Sequence, residues 1–284
     1  MHLDVVDLRA FYYRTKLGRS VQRDLQETIA KRWKESRHMQ VVGFGFAAPL
    51  LRPHLGTARR VLSLMPAAQG VMRWPPGDAN LSALVEETQW PLPGGTVDRI
   101  IVAHGLETCE APEALLDEIW RVLAPGGKVM FIVPNRAGFW ARRDTTPFGY
   151  GRPYSMGQLE ALLRARRFQP DWHDKALYMW PSHRAFWLRL ARLFGRVGRR
   201  LGLRIMAGVL LVEATKQVYA PPSGLRDAVR APLDVLQGLA RPRPIPNRVP
   251  NRVPNPVPNR AREATTHEQR FGNPAPKGKD IPPA

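Results

Sequence analysis

The strongest constraint on the fold is a strand–helix–strand pattern in the middle of the chain. Residues 97–103 read Val-Asp-Arg-Ile-Ile-Val-Ala and predict a buried strand, and residues 112–123 place their apolar side chains on one face of a helix. A Pro-Gly-Gly turn at 125–127 ends this helix, and the mainly apolar run 128–133 predicts another strand. Two strands joined by such a helix favour parallel pairing, with the helix packed on one face of the sheet.

Other segments extend this pattern in both directions. Further strands are expected at residues 39–43, 60–65, 80–85 and 205–214. The last of these closes the sheet and could run either parallel or antiparallel to the other strands. Further helices are expected at 7–33 with a break at Gly18, at 49–55 and at 156–166, where Ser155 and Gln158 resemble a capping box. We therefore predict an α/β fold: a Rossmann-like, mostly parallel sheet of seven strands with helices on both faces, plus a disordered C-terminal tail.

Proline divides the chain into regions with different folding rules. Of the 28 prolines, 14 lie in residues 221–284, where Pro-Asn-Arg-Val repeats prevent helices and sheet ladders and few large apolar groups can be buried. We predict an N-terminal helical cap at 1–36, one folded domain at 37–220, and a Pro/Arg-rich disordered tail at 221–284.

The chain is strongly basic, with 43 Lys and Arg against 24 Asp and Glu and a formal net charge of +19. Residues 184–204 contain seven arginines and no acid, and their apolar residues recur at helical spacing. We favour a surface helix that covers the sheet with its arginines pointing to water. Weak contact with an anionic membrane or with nucleic acid, through this helix and the tail, is the alternative.

Cysteine content and hydropathy bear on the compartment. Cys109 is the single cysteine, which excludes an internal disulfide and a Cys-rich zinc site. The longest apolar run is far shorter than the ~20 residues that span a bilayer, and the first residues do not resemble a signal peptide. A cytoplasmic protein without a metal site is the expectation, and the sequence favours no oligomeric state.

The motifs around the central pattern carry a family resemblance. Trp90-Pro91-Leu92 forms a turn before the strand, Val97-Asp98 opens the strand, and Leu106-Glu107 follows it. Glu118, Arg121-Val122-Leu123 and Pro125-Gly126-Gly127 then lead into the next strand. Over residues 37–216 the chain resembles the class I S-adenosylmethionine-dependent methyltransferases, of the type 11-like kind. The resemblance implies S-adenosylmethionine as cofactor and a small-molecule acceptor.

The resemblance also assigns a cofactor site around the first strand. In this family the first strand leads into a glycine-rich turn beneath the cofactor, and here residues 41–47 read Val-Val-Gly-Phe-Gly-Phe-Ala. The implied cofactor-binding residues of this turn are Gly43, Phe44, Gly45 and Ala47. Val41 stands where the family has an acid that binds the cofactor's ammonium. Without the resemblance, a tight strand-to-helix turn would explain these glycines equally well.

Three further strand ends complete the predicted site. Met65 ends the second strand, where the family has a carboxylate that binds the ribose hydroxyls. Glu86 and Glu87 follow the third strand, where a carboxylate accepts from the adenine amino group; a solvated loop pair is the alternative. His104 follows the fourth strand and is the candidate catalytic residue, as a contact of the sulfonium region or as a base, although histidines at such positions also serve in packing.

The predicted function follows from this site. An aromatic and Arg-rich loop at 137–155 would cover the acceptor. We predict S-adenosylmethionine-dependent methyl transfer to a small molecule. The alternative is a catalytically inactive methyltransferase fold that binds or scaffolds, because two family acids are missing at Val41 and Met65. Methylation of nucleic acid is a third hypothesis, motivated by the charge.

Overall fold

The computed structural model of the chain describes residues 4–178, 180–181 and 207–218. Contacts between Cα atoms divide the chain into Met1–Leu225 and Arg226–Ala284, and the second unit contains none of the described residues. The basic helix predicted at 184–204 and the tail predicted at 221–284 both lie outside the described residues.

Seven strands form one sheet, which confirms the predicted α/β, Rossmann-like architecture. The strands are β1 Gln40–Gly45, β2 Arg60–Pro66, β3 Ser82–Val85, β4 Val97–Ala103, β5 Leu123–Pro134, β6 Phe168–Ala176 and β7 Val209–Lys216. Their order is β3-β2-β1-β4-β5-β7-β6. The first five pair in parallel, whereas β7 runs antiparallel to both β5 and β6. The reversal considered for the closing strand is therefore confirmed.

Helices cover both faces of the sheet. They are α1 Val5–Arg9, followed by a π-helical turn at Ala10–Arg14, then α2 Lys16–Arg32, α3 Ala48–Leu51, α4 Pro112–Val122 and α5 Met156–Ala165. Buried side chains of α2 and α3 share one apolar cluster with alternate residues of the strands. Buried side chains of α4 and α5 share a second cluster with the intervening strand residues. This division follows from the period-2 alternation of side chains along each strand.

Two details differ from the sequence-based predictions, and a third agrees with them. The strand β6 was not predicted, because its sequence is mostly polar and half-exposed and contains Pro170, as edge strands can. The break in the N-terminal helix falls at Thr15 and not at Gly18, since the Thr15 side chain accepts the Gly18 N–H at 2.8 Å and caps α2. The capping box of Ser155 and Gln158 at the start of α5 is confirmed.

A buried carboxylate fastens α2 to the amino-end edge of the sheet. Glu213 on β7 is fully buried and accepts hydrogen bonds from Arg32, Trp33 and Lys128 at 2.5–3.1 Å. Burial acts to raise the pKa of Glu213, but these hydrogen bonds outweigh it and lower the pKa below its usual value. The cluster lies at the opposite edge from the strand ends that the family resemblance assigns to the cofactor.

Within the described ranges, none of the helices has the length and apolar character needed to cross a bilayer.

Candidate functional site

The candidate site lies where the order of the strands reverses direction. From β1 the chain proceeds to β2 and β3 on one side, and then returns to β4 on the other side of β1. Loops from β1 and β4 therefore diverge above the carboxyl ends of these two strands, which is where open α/β sheets bind ligands. Gly45, Ala103 and the residue that follows it, His104, meet at this point, since Gly45 pairs with Ala103.

The turn after β1 requires its glycines. Gly45 has φ +75°, and a Cβ there would overlap the carbonyl oxygen of Ala103. A Cβ on Gly43 would lie 2.7 Å from Cδ1 of Leu51 and 2.8 Å from Cβ of Ala47. The close contacts with Leu51 and Ala47 are sufficient to explain why residue 43 is a glycine. Gly45 differs, because it allows the β1 turn to lie directly against the end of β4.

Phe44 points away from this turn to the other face of the sheet. Its ring stacks on Trp90, with ring centroids 4.9 Å apart. The turn that contains Trp90 is itself held by α4, because Glu118 accepts the Trp90 N–H at 2.6 Å and Arg121 donates to the Trp90 carbonyl at 3.1 Å. Phe44 and the Trp90 turn therefore support the sheet from the α4 side.

The ends of β2 and β3 differ in polarity. Met65 is buried, and its sulfur accepts the N–H of Met72 at 3.4 Å. Glu86 is exposed and pairs with Gln89 in an isolated bridge, whereas Glu87 is half-buried. Burial, followed by a hydrogen bond with Glu87, raises the pKa of the Cys109 thiol to about 12. Glu86 therefore provides an accessible carboxylate after β3.

His104 is fully enclosed at the end of β4. It has φ +52°, which is unusual for a residue with a side chain, and is 1% exposed. Its Nε2 lies 2.8 Å from the Tyr12 hydroxyl, and its carbonyl oxygen accepts from the Gln69 side chain. Burial and then the charge of Glu107 raise the pKa of Tyr12 well above its usual value, so this hydroxyl keeps its proton. The N-terminal helices therefore close over the end of β4.

Glu107 is the second buried titratable group at this end. The residue is 2% exposed, and neither carboxyl oxygen has a hydrogen-bond partner among the described residues. His104 Nδ1 also lacks a partner within that part of the chain, and it lies 3.4 Å from Glu107 Oε1 without the alignment of a hydrogen bond. Gly151 and Arg152 cover Glu107 from the loop at 137–155, since the Arg152 N–H donates to the Glu107 carbonyl at 2.8 Å.

The structure brings some of the predicted residues together and adds others. Gly45 and His104 meet at the β1–β4 junction, whereas Phe44 faces α4 and Glu86 and Glu87 follow β3. Sequence reasoning missed Tyr12, Gln69 and Glu107 as site residues. Glu107 had a signal, its place in the Leu106-Glu107 motif after the strand. Tyr12 and Gln69 reach His104 only through tertiary packing, which no local pattern encodes. Among the described residues, no group of three or more His, Cys, Asp or Glu could hold a metal ion.

Comparisons with known proteins agree with this geometry. Residues 42–131 match the family model of a methyltransferase domain. A probable S-adenosylmethionine-dependent methyltransferase of Mycolicibacterium smegmatis is 32% identical over 135 residues, which are 45% of this chain and 50% of the relative. The chain therefore spans about half the length of that curated relative.

Solved structures show the same fold at low identity. An S-adenosylmethionine-dependent methyltransferase of Thermotoga maritima, a possible histamine N-methyltransferase, has a TM-score of 0.50 at 15% identity, over 71% of this chain and 91% of its own. A chain from the complex between a methyltransferase activator of Haloferax volcanii and a protein assigned as a methyltransferase has a TM-score of 0.51 at 14% identity, over 76% of this chain and 99% of its own.

Proposed function

We propose that this chain, whose residues 42–131 match the family model of a methyltransferase domain, transfers a methyl group from S-adenosylmethionine to a small-molecule acceptor. One observation carries the proposal. At the junction of β1 and β4, where the strand order reverses, the turn at Gly45 meets two buried side chains that have unpartnered polar atoms, His104 and Glu107. Buried polar atoms without partners are costly, and a bound ligand or a catalytic role is one explanation for their presence.

The residues at this edge suit a cationic cofactor. Bound S-adenosylmethionine would supply a methyl group activated by a positively charged sulfur. Glu107 offers two free oxygens to such a cation, and Glu86 offers an accessible carboxylate for the adenine amino group. The Gly45 turn would lie beneath the amino-acid end of the cofactor. Val41 and Met65 lack the acids of the family, so the remaining carboxylates carry more of the binding.

His104 is the residue that we propose to act at the reacting atoms. In the tautomer whose Nε2–H donates to the Tyr12 hydroxyl oxygen, Nδ1 carries no proton and is available to accept one from the acceptor. Methyl transfer depends mainly on alignment and on exclusion of water. The enclosure of His104 by Tyr12 and Phe148 supports both, because the Phe148 ring lies 4.7 Å from the imidazole.

The 137–155 loop supports a small acceptor. Its Trp140 and Phe148 are buried and in edge-to-face contact, with ring centroids 5.6 Å apart, and Tyr154 pairs with Asn135 at the end of β5. If this loop opens, these rings would present an aromatic surface to a compact organic molecule. The inactive alternative rests on Val41 and Met65 alone, and the comparisons add nothing in its favour.

Calorimetric titration with S-adenosylmethionine, and separately with S-adenosylhomocysteine, tests the proposal. We expect binding in the micromolar range. A chain that is folded by circular dichroism yet binds neither compound at millimolar concentration would contradict the proposal. His104→Gln should then lose turnover once an acceptor is known.

A further inference from the structure

We propose that Glu107 and His104 together bind an organic ammonium group, which donates one N–H to the carboxylate and another to Nδ1 of the imidazole. The inference rests on the proposed function, because it assigns a ligand class to the same edge of the sheet. Two molecules could present this group. An amine acceptor would place its own proton at Nδ1, as the proposed base role requires, whereas the amino-acid end of the methyl donor would make Nδ1 a cofactor contact in place of a base.

The first argument is the unmet hydrogen-bonding capacity of the pair. Three acceptor or donor atoms, both oxygens of Glu107 and Nδ1 of His104, have no partner among the described residues. Both side chains are 1% exposed, so bulk water does not reach these atoms as it would at the surface. A buried carboxylate in this condition gains most from a ligand that brings positive charge and several N–H donors.

The second argument is spacing. Nδ1 of His104 and Oε1 of Glu107 are 3.4 Å apart. An ammonium nitrogen has three N–H donors directed at wide angles, and it can lie at an ordinary hydrogen-bond length of about 2.8 Å from both atoms at once. Where Nδ1 carries no proton, a neutral hydroxyl with its single donor can satisfy only one of the two acceptors, and it brings no positive charge to the carboxylate. The pair therefore selects for an ammonium over an alcohol.

The third argument is the aromatic surroundings. The Tyr12 and Phe148 rings lie 5.7 Å and 4.7 Å from the His104 imidazole, measured between centroids. Glu107 also raises the pKa of Tyr154, after the larger effect of burial, which indicates that its charge reaches that ring. Aromatic faces attract cations, and they attract them more strongly where water is excluded.

Entry of the ligand requires movement of the backbone segment that covers Glu107. The backbone of Gly151 and Arg152 lies on Glu107, and a Cβ at Gly151 would be 3.2 Å from Cγ of Glu107. The segment is part of the 137–155 loop, whose opening would expose the pair without disturbing the strands. The described structure is accordingly the closed form of this site.

The first arm of the test concerns the methyl donor. Calorimetry would compare S-adenosylhomocysteine with its desamino analogue, in the full chain and in Glu107→Gln. We expect the wild-type chain to prefer the ammonium-bearing compound by about 10- to 150-fold, the range of one charge-assisted hydrogen bond, and Glu107→Gln to lose this preference. Glu110→Gln is the matched control, because Glu110 is an exposed carboxylate three residues away and should keep the preference.

The second arm concerns the acceptor. The same variants, saturated with S-adenosylhomocysteine, would be titrated with 2-phenylethylamine and with its neutral counterpart 2-phenylethanol. A preference for the amine that disappears in Glu107→Gln identifies an amine acceptor as the source of the ammonium. Glu107→Asp, which keeps the charge on a shorter side chain, should retain part of the preference in whichever arm shows it.

The outcomes separate this inference from the proposed function. A preference for the charged compound in either arm that depends on Glu107 supports the inference. The inference is overturned if neither arm shows a preference for the charged compound. It is also overturned if Glu107→Gln, shown to be folded by circular dichroism, keeps that preference. If the wild-type chain fails to bind S-adenosylhomocysteine, the proposed function fails, and the amine arm run without that compound still decides the inference.

Discussion

The Tyr12 hydroxyl lies 2.8 Å from Nε2 of His104, and this contact joins the π-helical turn near the N-terminus to the end of β4, 92 residues later in the chain. Both side chains are almost fully buried. The contact makes the N-terminal helices part of the candidate site, since they fix the ring that stands at the β1–β4 junction.

Replacing Tyr12 tests this contact. Tyr12→Phe removes the hydroxyl and leaves the buried Nε2 of His104 without its partner, so we expect a loss of about 1–3 kcal/mol in the free energy of unfolding. Urea unfolding followed by circular dichroism measures the change. An unaltered unfolding midpoint would mean that the hydrogen bond contributes nothing, and that the aromatic packing of Tyr12 on Phe46 is sufficient.

Two glycines in the first turns of helices should respond oppositely to alanine. A Cβ at Gly18 would overlap the Phe11 carbonyl, whereas a Cβ at Gly157 meets nothing within 4 Å. We expect Gly18→Ala to lower the thermal unfolding temperature clearly, because the π-helical turn must shift. Gly157→Ala should raise stability by about 0.5–1 kcal/mol, since alanine is the better helix former. Similar effects of both changes would contradict this account.

The stability contributed by Glu213 should depend on pH. Burial acts to raise its pKa, but hydrogen bonds from Arg32, Trp33 and Lys128 lower it below the ordinary value of 4.5. The unfolded chain therefore takes up this proton more readily than the folded chain, and the contribution is present above pH 4.5 and is lost as the pH falls toward the folded pKa.

Glu213→Gln is the corresponding variant. At pH 7 we expect it to be less stable than the wild type by about 3 kcal/mol, because it breaks a buried charged cluster. The difference should narrow when guanidinium unfolding is repeated below pH 4.5, where the unfolded chain binds a proton that folded Glu213 does not yet bind. A difference that stays constant between the two pH values would show that the cluster acts through packing and not through charge.

Cys109 should be inert while the chain is folded. Burial and a hydrogen bond with Glu87 raise the pKa of its thiol to about 12, so at pH 8 only about one molecule in ten thousand carries the reactive thiolate. A thiol reagent such as dithionitrobenzoate should release no colour from the native protein and should titrate the single cysteine in guanidinium chloride. Rapid reaction of the native protein would show that the end of β4 opens frequently.

Local sequence signals predicted the central elements of the sheet correctly but missed an edge strand. β4 was predicted within its observed bounds, and α4 nearly so, because apolar runs, helical periodicity and the Pro-Gly-Gly turn all agree. β6 was missed, because it is a partly exposed edge strand that contains Pro170. The same limit applies to the site. The strand ends were predictable, whereas the contacts of Tyr12 and Gln69 with His104 depend on packing between distant segments.

The position of β7 between β5 and β6 determines when the sheet can be completed during synthesis. β6 pairs only with β7 among the described strands, so neither β6 nor the outer edge of β5 has a partner before residue 216 has been translated. At the usual rate of translation, the interval between Pro134 and Lys216 lasts roughly 4–16 s. For that time the nascent chain presents an apolar strand edge, Phe131 and Val133 included, to any chaperone or neighbouring polypeptide within reach.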